Sequence, residues 1–331
     1  MTAARVLFLA GIPSFDLTRD LLVHGLRLTY PDMQIMFDHS PMIAAQTWNV
    51  ERSSGWEYHA ACGFKSDDFS LRFSPPDLVV CSEGSLDGLM NERGQEWLRE
   101  LLLPYRGRIV SFNGADHPLP PAQENPVLRD FCALRFVSQL PVLSGPGTRW
   151  GVPDQRCRAL PPGVCIERLP LVREAQPRPL GVLWGGQYQR GHGGRWELLA
   201  PSIEAGLIDT LVRGLPGWDY LSLLGRSKAA IAIGCAGNHP EAGLNMKHLE
   251  AVCMGAACFS FPPGVQVPAL FSGIEFTTSD ELIELCRAVS DLPPPSDDLV
   301  RAIRKAHSLQ ARARSFVAAC DEMGMAGGKT A

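Results

Sequence analysis

Apolar residues along this chain fall into short unbroken runs, not alternating ones. The first runs from Val6 to Ala10 and stops at Gly11. A polar turn follows, and then LTRDLLVHGLRLTY repeats Leu21, Leu22, His24 and Leu28 at near-helical spacing. DLVVC (Asp77–Cys81), GRIVSFNG (Gly107–Gly114) and LRFVS (Leu134–Ser138) are further apolar runs, and NERGQEWLRELLLPY between two of them reads as a helix. Unalternating apolar strands separated by helices predict a parallel sheet covered on both faces.

The texture changes near Ala159. ALPPGVCIERLPLVREAQPRPL is rich in proline, which reads as an interdomain connection. The pattern then restarts with GVLWGG as a strand, RWELLAPSIEAGL as a helix, DYLSLLGRS as a helix and KAAIAIG as a strand ending at Gly234. AACFSF supplies another strand, and Thr278-Ser-Asp-Glu281 opens a helix with a capping-box pattern. One last helix is expected from about Ser296 to Met323. The predicted architecture is therefore two α/β domains: 1–165, a linker over 166–179, and 180–300, followed by a C-terminal helix and tail over 301–331 that packs back on the first domain. No element is assigned to Trp48–Phe73.

Composition narrows the function classes. The chain has 331 residues, 45% of them hydrophobic, enough for two cores. A formal net charge of −4 argues against a duplex nucleic-acid partner, because phosphate contacts need a concentrated basic face. No stretch approaches eighteen uncharged apolar residues, so no bilayer span is expected, and the N-terminal run reads as a strand, not a secretory leader. The ten cysteines include no C-x-x-C pair and many sit in apolar runs. Reduced, buried thiols in a cytoplasmic protein are the expectation, with no metal site. The basic run RAIRKAHSLQARARS is expected to present a solvated helix face. AGIPSF after the first strand lacks G-x-G-x-x-G, which disfavours a dinucleotide cofactor.

The richest chemistry lies in NHPEAGLNMKHLEAVCMGAAC, Asn238 to Cys258. A helix is predicted over Asn245–Met254 with Gly255 as its stop. Met246, Leu249, Val252 and Cys253 share one arc, and Lys247 and Glu250 sit together at its edge. Ligands of open parallel sheets lie beyond the carboxyl ends of the strands, where Gly234, Gly237 and Asn238 would fall. There, helix-start N–H groups and Lys247 suit a diphosphate, and Glu250 suits two sugar hydroxyls. The spacing equally allows an i,i+3 surface ion pair worth roughly 0.2–0.5 kcal/mol.

The segment from about Tyr220 to Ser290 resembles the C-terminal half of the glycosyltransferase family that includes the spore maturation protein CgeB. Ser227-Lys228 matches the Ser-Lys that precedes a strand in that family, and Glu250-Ala251 running to Gly255 matches its Glu-Ala and small-Gly step. Gly273 and Glu275 match its Gly-x-Glu, and Ser279–Leu282 its closing segment. The family arginine falls on Lys247, which keeps the charge and loses the bidentate fork. The resemblance implies a GT-B-like fold, two Rossmann-like domains facing a cleft, and a metal-independent transfer of sugar from a nucleotide-sugar donor. The donor is then a substrate, and no separate cofactor is expected.

Further candidates follow from position. GGQYQRGHGGRWELL (Gly185–Leu199) places Gly185, Tyr188, Arg190 and Arg195 in a glycine-rich loop after a strand, suited to phosphate or sugar; Arg195 best fits the arginine that opens a helix in the family. FNGADHP follows an N-domain strand, so Asp116 and His117 are candidate bases for the acceptor hydroxyl, or else a capped turn. Gly11 in the first loop would face the same cleft, and Asn238 completes the donor-side set. The acceptor (protein, small metabolite or glycan) and the oligomeric state stay open. A sugar-nucleotide epimerase and a non-enzymatic nucleotide-sugar or partner-binding protein are the rival readings.

Overall fold

The computed structural model describes residues 4–9, 17–37, 76–82, 92–113, 125–137, 156–160, 163, 178–186, 195–212, 217–233, 246–261 and 274–325. The chain divides into two compact units, Met1–Pro161 with Leu309–Ala331, and Pro162–Ser308. Each is built on a wholly parallel sheet among the described residues, which is the expected pair of Rossmann-like α/β arrangements. The expected linker, 166–179, lies outside the described residues except for its last two positions.

Unit 1 carries strands β1 (Arg5–Leu9), β2 (Gln34–Phe37), β3 (Leu78–Ser82), β4 (Ile109–Asn113), β5 (Leu134–Val137) and β6 (Cys157–Ala159), in the order β2-β1-β3-β4-β5-β6. The reason its strands do not alternate is visible in β1. Val6 and Phe8 enter one core with Leu22, Leu26 and Phe316, while Leu7 and Leu9 enter another with Leu98, Leu102 and Val127. Both faces of the sheet are covered by helices, so both must be apolar.

Helix α1 (Leu17–Thr29) departs from the predicted stripe. Leu22, Val23 and Leu26 are buried and Leu28 is 44% exposed. The stripe is rotated because α1 also carries the returning C-terminal helix, where Gly25 lies against Leu309. The helices before β4 and β5 are α2 (Glu92–Leu102) and α3 (Pro126–Phe131). Asn125 caps α3, its Oδ1 accepting from the Val127 and Leu128 amides.

Unit 2 orders its strands β11-β10-β9-β7-β8, with β7 (Leu180–Gly185), β8 (Thr210–Val212), β9 (Ser227–Ile233), β10 (Ala257–Phe261) and β11 (Ile274–Glu275). Helices α4 (Arg195–Glu204), α5 (Gly217–Arg226), α6 (Met246–Cys253) and α7 (Ser279–Arg287) follow in sequence. The chain leaves β7 toward β8 on one side and returns to β9 on the other. That reversal makes the carboxyl end of the β7–β9 pair the place where a doubly wound sheet opens a crevice. The predicted capping box of α7 is present, with Thr278 Oγ1 accepting from the Glu281 amide at 3.2 Å and Glu281 accepting from the Thr278 amide at 3.2 Å.

One long terminal helix was expected and two are found, α8 (Asp297–His307) and α9 (Leu309–Glu322). Ser308 breaks them because its ψ of 157° is extended. α8 belongs to unit 2 and α9 to unit 1, so the break is where the chain changes unit. Arg312, expected on a solvated face, is buried. Among the described residues no helix is long and apolar enough to cross a membrane, and the seven described cysteines are buried free thiols.

Candidate functional site

α6 ends as predicted. Gly255 takes φ +75°, the Ala256 amide donates to the Ala251 carbonyl and the Gly255 amide to Val252, a Schellman closure. The start of α6 lies at the carboxyl edge of β9. Its sides are not divided into a core arc and an exposed edge. His248, Leu249, Glu250, Ala251, Val252 and Cys253 are all buried, with Glu250 only 6% exposed. The reading of Lys247 and Glu250 as a surface ion pair therefore fails for a simple reason: the carboxyl is inside the protein.

Burial has an electrostatic consequence. It pushes the Glu250 carboxyl up from 4.5 to about 8, and the nearby Lys247 ammonium offsets this only in part. Near neutral pH this carboxyl is mostly protonated, and ionises readily when a partner stabilises its charge. The Lys247 ammonium sits 4.8 Å from the centroid of the Trp184 ring, a cation–π contact. It also occupies the ground beside Gly186, whose φ is +152°; a Cβ there would lie 2.6 Å from Nζ. Trp184 is fully buried, and among the described residues its indole N–H has no acceptor.

Tyr220 of α5 completes the group. Its ring fills the space that a Cβ on Gly185 would take. Its phenol is held well above the ordinary range, first by burial, then by the Glu250 carboxyl and by Cys258. Behind α6, buried His248 Nε2 lies 3.0 Å from Ser260 Oγ of β10, which fixes the helix against the sheet.

Gly185, Lys247 and Glu250 of the predicted residues thus meet at the switch point, joined by Trp184, Gly186 and Tyr220. Arg195 opens α4 on the same edge of the sheet. Gly11, Asp116, His117, Tyr188, Arg190 and Asn238 lie outside the described residues. The Ser227-Lys228 pair begins β9, at the opposite edge. Ser227 Oγ donates to the Leu223 carbonyl at 2.8 Å and Lys228 Nζ to Ser290 Oγ at 3.0 Å, so both serve local packing. Trp184 and Tyr220 were missed by sequence reasoning. The available signal was the Trp-Gly-Gly end of a strand, where two absent side chains leave room for others.

No protein-family model matches the sequence, and no curated protein matches it. Solved structures do. HepE of Anabaena, in complex with UDP and glucose, aligns with a TM-score of 0.62 at 10% identity, over 96% of this chain and 100% of that one. A glycosyltransferase from Rickettsia africae aligns with a TM-score of 0.61 at 10% identity, over 99% and 100%. An alpha-glucosyltransferase in complex with UDP and a 13-mer DNA aligns with a TM-score of 0.59 at 11% identity, over 98% and 99%. These likenesses span essentially the whole of each chain, and they establish that this protein has the two-unit α/β fold of GT-B glycosyltransferases.

Proposed function

We propose that the protein is a CgeB-like, metal-independent glycosyltransferase that binds a nucleotide-sugar donor in unit 2 and transfers the sugar to an acceptor hydroxyl. The observation that carries this reading is the buried Glu250 carboxyl beside the Lys247 ammonium at the β7–β9 switch point. A buried carboxyl beside a half-buried ammonium at the ligand-binding edge of a sheet is costly for stability, which favours a site built for a ligand. The fold shared with proteins solved with UDP supports it.

In this reading Glu250 accepts hydrogen bonds from donor ribose or sugar hydroxyls. Lys247 lies against the diphosphate and stabilises the charge that develops as the sugar–phosphate bond breaks. The Trp184 face holds the ammonium in place, so little reorganisation is needed. Arg195 and Arg190 add charge toward the phosphates, Tyr188, Gly185 and Asn238 serve the donor, and Gly11 is proposed as a further donor-binding residue. Asp116 or His117 takes the proton from the acceptor hydroxyl as its oxygen attacks the anomeric carbon. The seven buried free thiols fit a reducing compartment, the cytoplasm.

Thermal unfolding of the full chain with a panel of nucleoside diphosphates and sugar nucleotides tests the reading. Ligand at about 100 times Kd adds about 2.7 kcal/mol to the folded state. A selective rise in Tm with one base, absent in E250A, is expected. No rise with any nucleotide would overturn the donor site. A rise without turnover across acceptor classes would leave a nucleotide-sugar-binding protein.

A further inference from the structure

Unit 1 holds an unassigned cationic cavity of about 390 Å³ at the amino-terminal edge of its sheet, open on one side and lined by Arg99, Arg106, Arg129, Asp130, Phe131 and Arg156. These residues come from three places that the topology brings together. Arg99 and Arg106 lie on α2 and in the turn before β4, Arg129–Phe131 end α3 before β5, and Arg156 immediately precedes β6. All three segments lead into strand starts, so the cavity lies away from the carboxyl edge of the same sheet, where this fold class takes its substrates.

The cations are held, not splayed. Phe131 is buried at 7% exposure, and its ring carries the Arg106 guanidinium at 5.4 Å and that of Arg99 at 5.9 Å from the centroid. Arg156 Nη1 donates to the Cys132 carbonyl at 2.7 Å, leaving the rest of its fork for another partner. Among the described residues lining the cavity only Arg129 has a carboxylate beside it, with Nε 3.3 Å from Asp130 Oδ1 on the surface. Among the described residues neither Arg99 nor Arg106 has a carboxylate partner. The C-terminal ends of α2 and α3 each place about half a negative charge at this edge and account for part of the attraction. Four guanidinium groups against one carboxylate and two such helix ends still leave a surplus of about two positive charges. In a chain whose net charge is −4, that concentration is not a general surface property.

We infer that this cavity binds a small anion carrying two or more phosphate groups. Planar guanidinium forks match phosphate oxygens two at a time, and four of them with a surplus of about two positive charges suit an anion that carries more charge and more oxygens than a single phosphate. The volume falls in the range of small-molecule sites, and the stacking on Phe131 pre-orders two of the forks. Nothing in this inference depends on the donor reading.

Titration calorimetry of the full chain with inorganic tripolyphosphate at low salt tests it, using wild type, R99Q/R106Q and K247A. Both arginines are exposed outside the core, so the double variant keeps its fold, which an unchanged Tm checks. The expected result is saturable binding in wild type with a component that is weakened at least about tenfold in R99Q/R106Q and retained in K247A, with affinity falling as salt rises. Equal binding by wild type and R99Q/R106Q overturns the proposal, as does a loss confined to K247A, which would place the anion at the unit 2 site. Absence of binding also overturns it. A single-stranded oligonucleotide that binds through the same arginines more tightly than tripolyphosphate would replace the small anion with a nucleic acid.

Discussion

Glu250 makes a prediction about stability that needs no ligand. In the unfolded chain its carboxyl has the ordinary value of 4.5; in the folded chain burial holds it near 8. The folded state therefore keeps a proton that the unfolded state releases. Below about pH 4.5 both states are neutral there, and this group contributes its full stability. As pH rises from that value through about 8, the contribution is lost, at about 1.4 kcal/mol per pH unit. Across the whole interval the loss comes to about 5 kcal/mol, comparable with the entire stability of many domains.

E250Q isolates this effect, since glutamine keeps the shape and cannot ionise. Urea unfolding of wild type and E250Q at several pH values between 4.5 and about 8 gives the difference directly. Wild type is expected to lose stability relative to E250Q as pH rises. Asp77 does not confuse this window. Burial raises its carboxyl, but hydrogen bonds and charge from Arg5 outweigh that and hold it below its usual value. Hydrogen bonds from Thr277 likewise lower Glu281. Stability from both is lost only on acidification below the ordinary carboxylate range. Parallel wild-type and E250Q curves would refute the reasoning, because they would mean that the Glu250 carboxyl stays hydrated and titrates normally.

Three other outcomes are expected. Gly25→Ala pushes a methyl group into the Leu309 carbonyl, with 2.9 Å to its carbon and 3.2 Å to the Leu309 Cβ, so unit 1 should lose about 1–3 kcal/mol in urea unfolding. Gly186→Ala and Lys247→Arg both crowd the gap between Gly186 and the Trp184 ring; each should weaken binding of whichever nucleoside diphosphate raises Tm, by calorimetry, roughly tenfold, the loss of one charge-assisted contact. Binding of that nucleoside diphosphate near pH 7 should release close to one proton in wild type and none in E250Q, if ribose hydroxyls donate to an ionised Glu250, and the heat of binding measured in two buffers of different ionisation enthalpy reads this.

Much of the fold was legible because its signals are local. The runs at β1, β3, β4, β5, β7, β9 and β10 are apolar on both faces, broken only by single polar residues such as Arg135 of β5 and Ser111 of β4, and a strand buried on both faces has no polar side to show. Thr278 and Glu281 announced α7 through their spacing alone. The missed strands are β2, β6, β8 and β11, none longer than four residues. So few residues cannot establish a period. The Asn125-Pro126 start of α3 was a readable cap, but its six residues contain too little pattern to stand beside it. The single terminal helix was the opposite error. A continuous helical period says nothing about the extended ψ of Ser308 or about a change of unit there.

The candidate site shows where periodicity stops. A 3.6-residue repeat in α6 correctly placed Lys247 and Glu250 together, yet it could not say how many sides of that helix are covered. That number decides the chemistry. On an exposed edge the pair is a weak surface contact; inside, the same two residues become a mostly neutral carboxyl and an ammonium held against an indole. The deciding neighbours, Trp184, Gly186 and Tyr220, come from segments that only the β7–β9 pairing brings to α6. They also account for lysine at position 247, where the resembling family has arginine. Nζ rests close beside Gly186 and over the face of Trp184, a slot shaped for a compact ammonium, whereas a planar fork would need both neighbours to move.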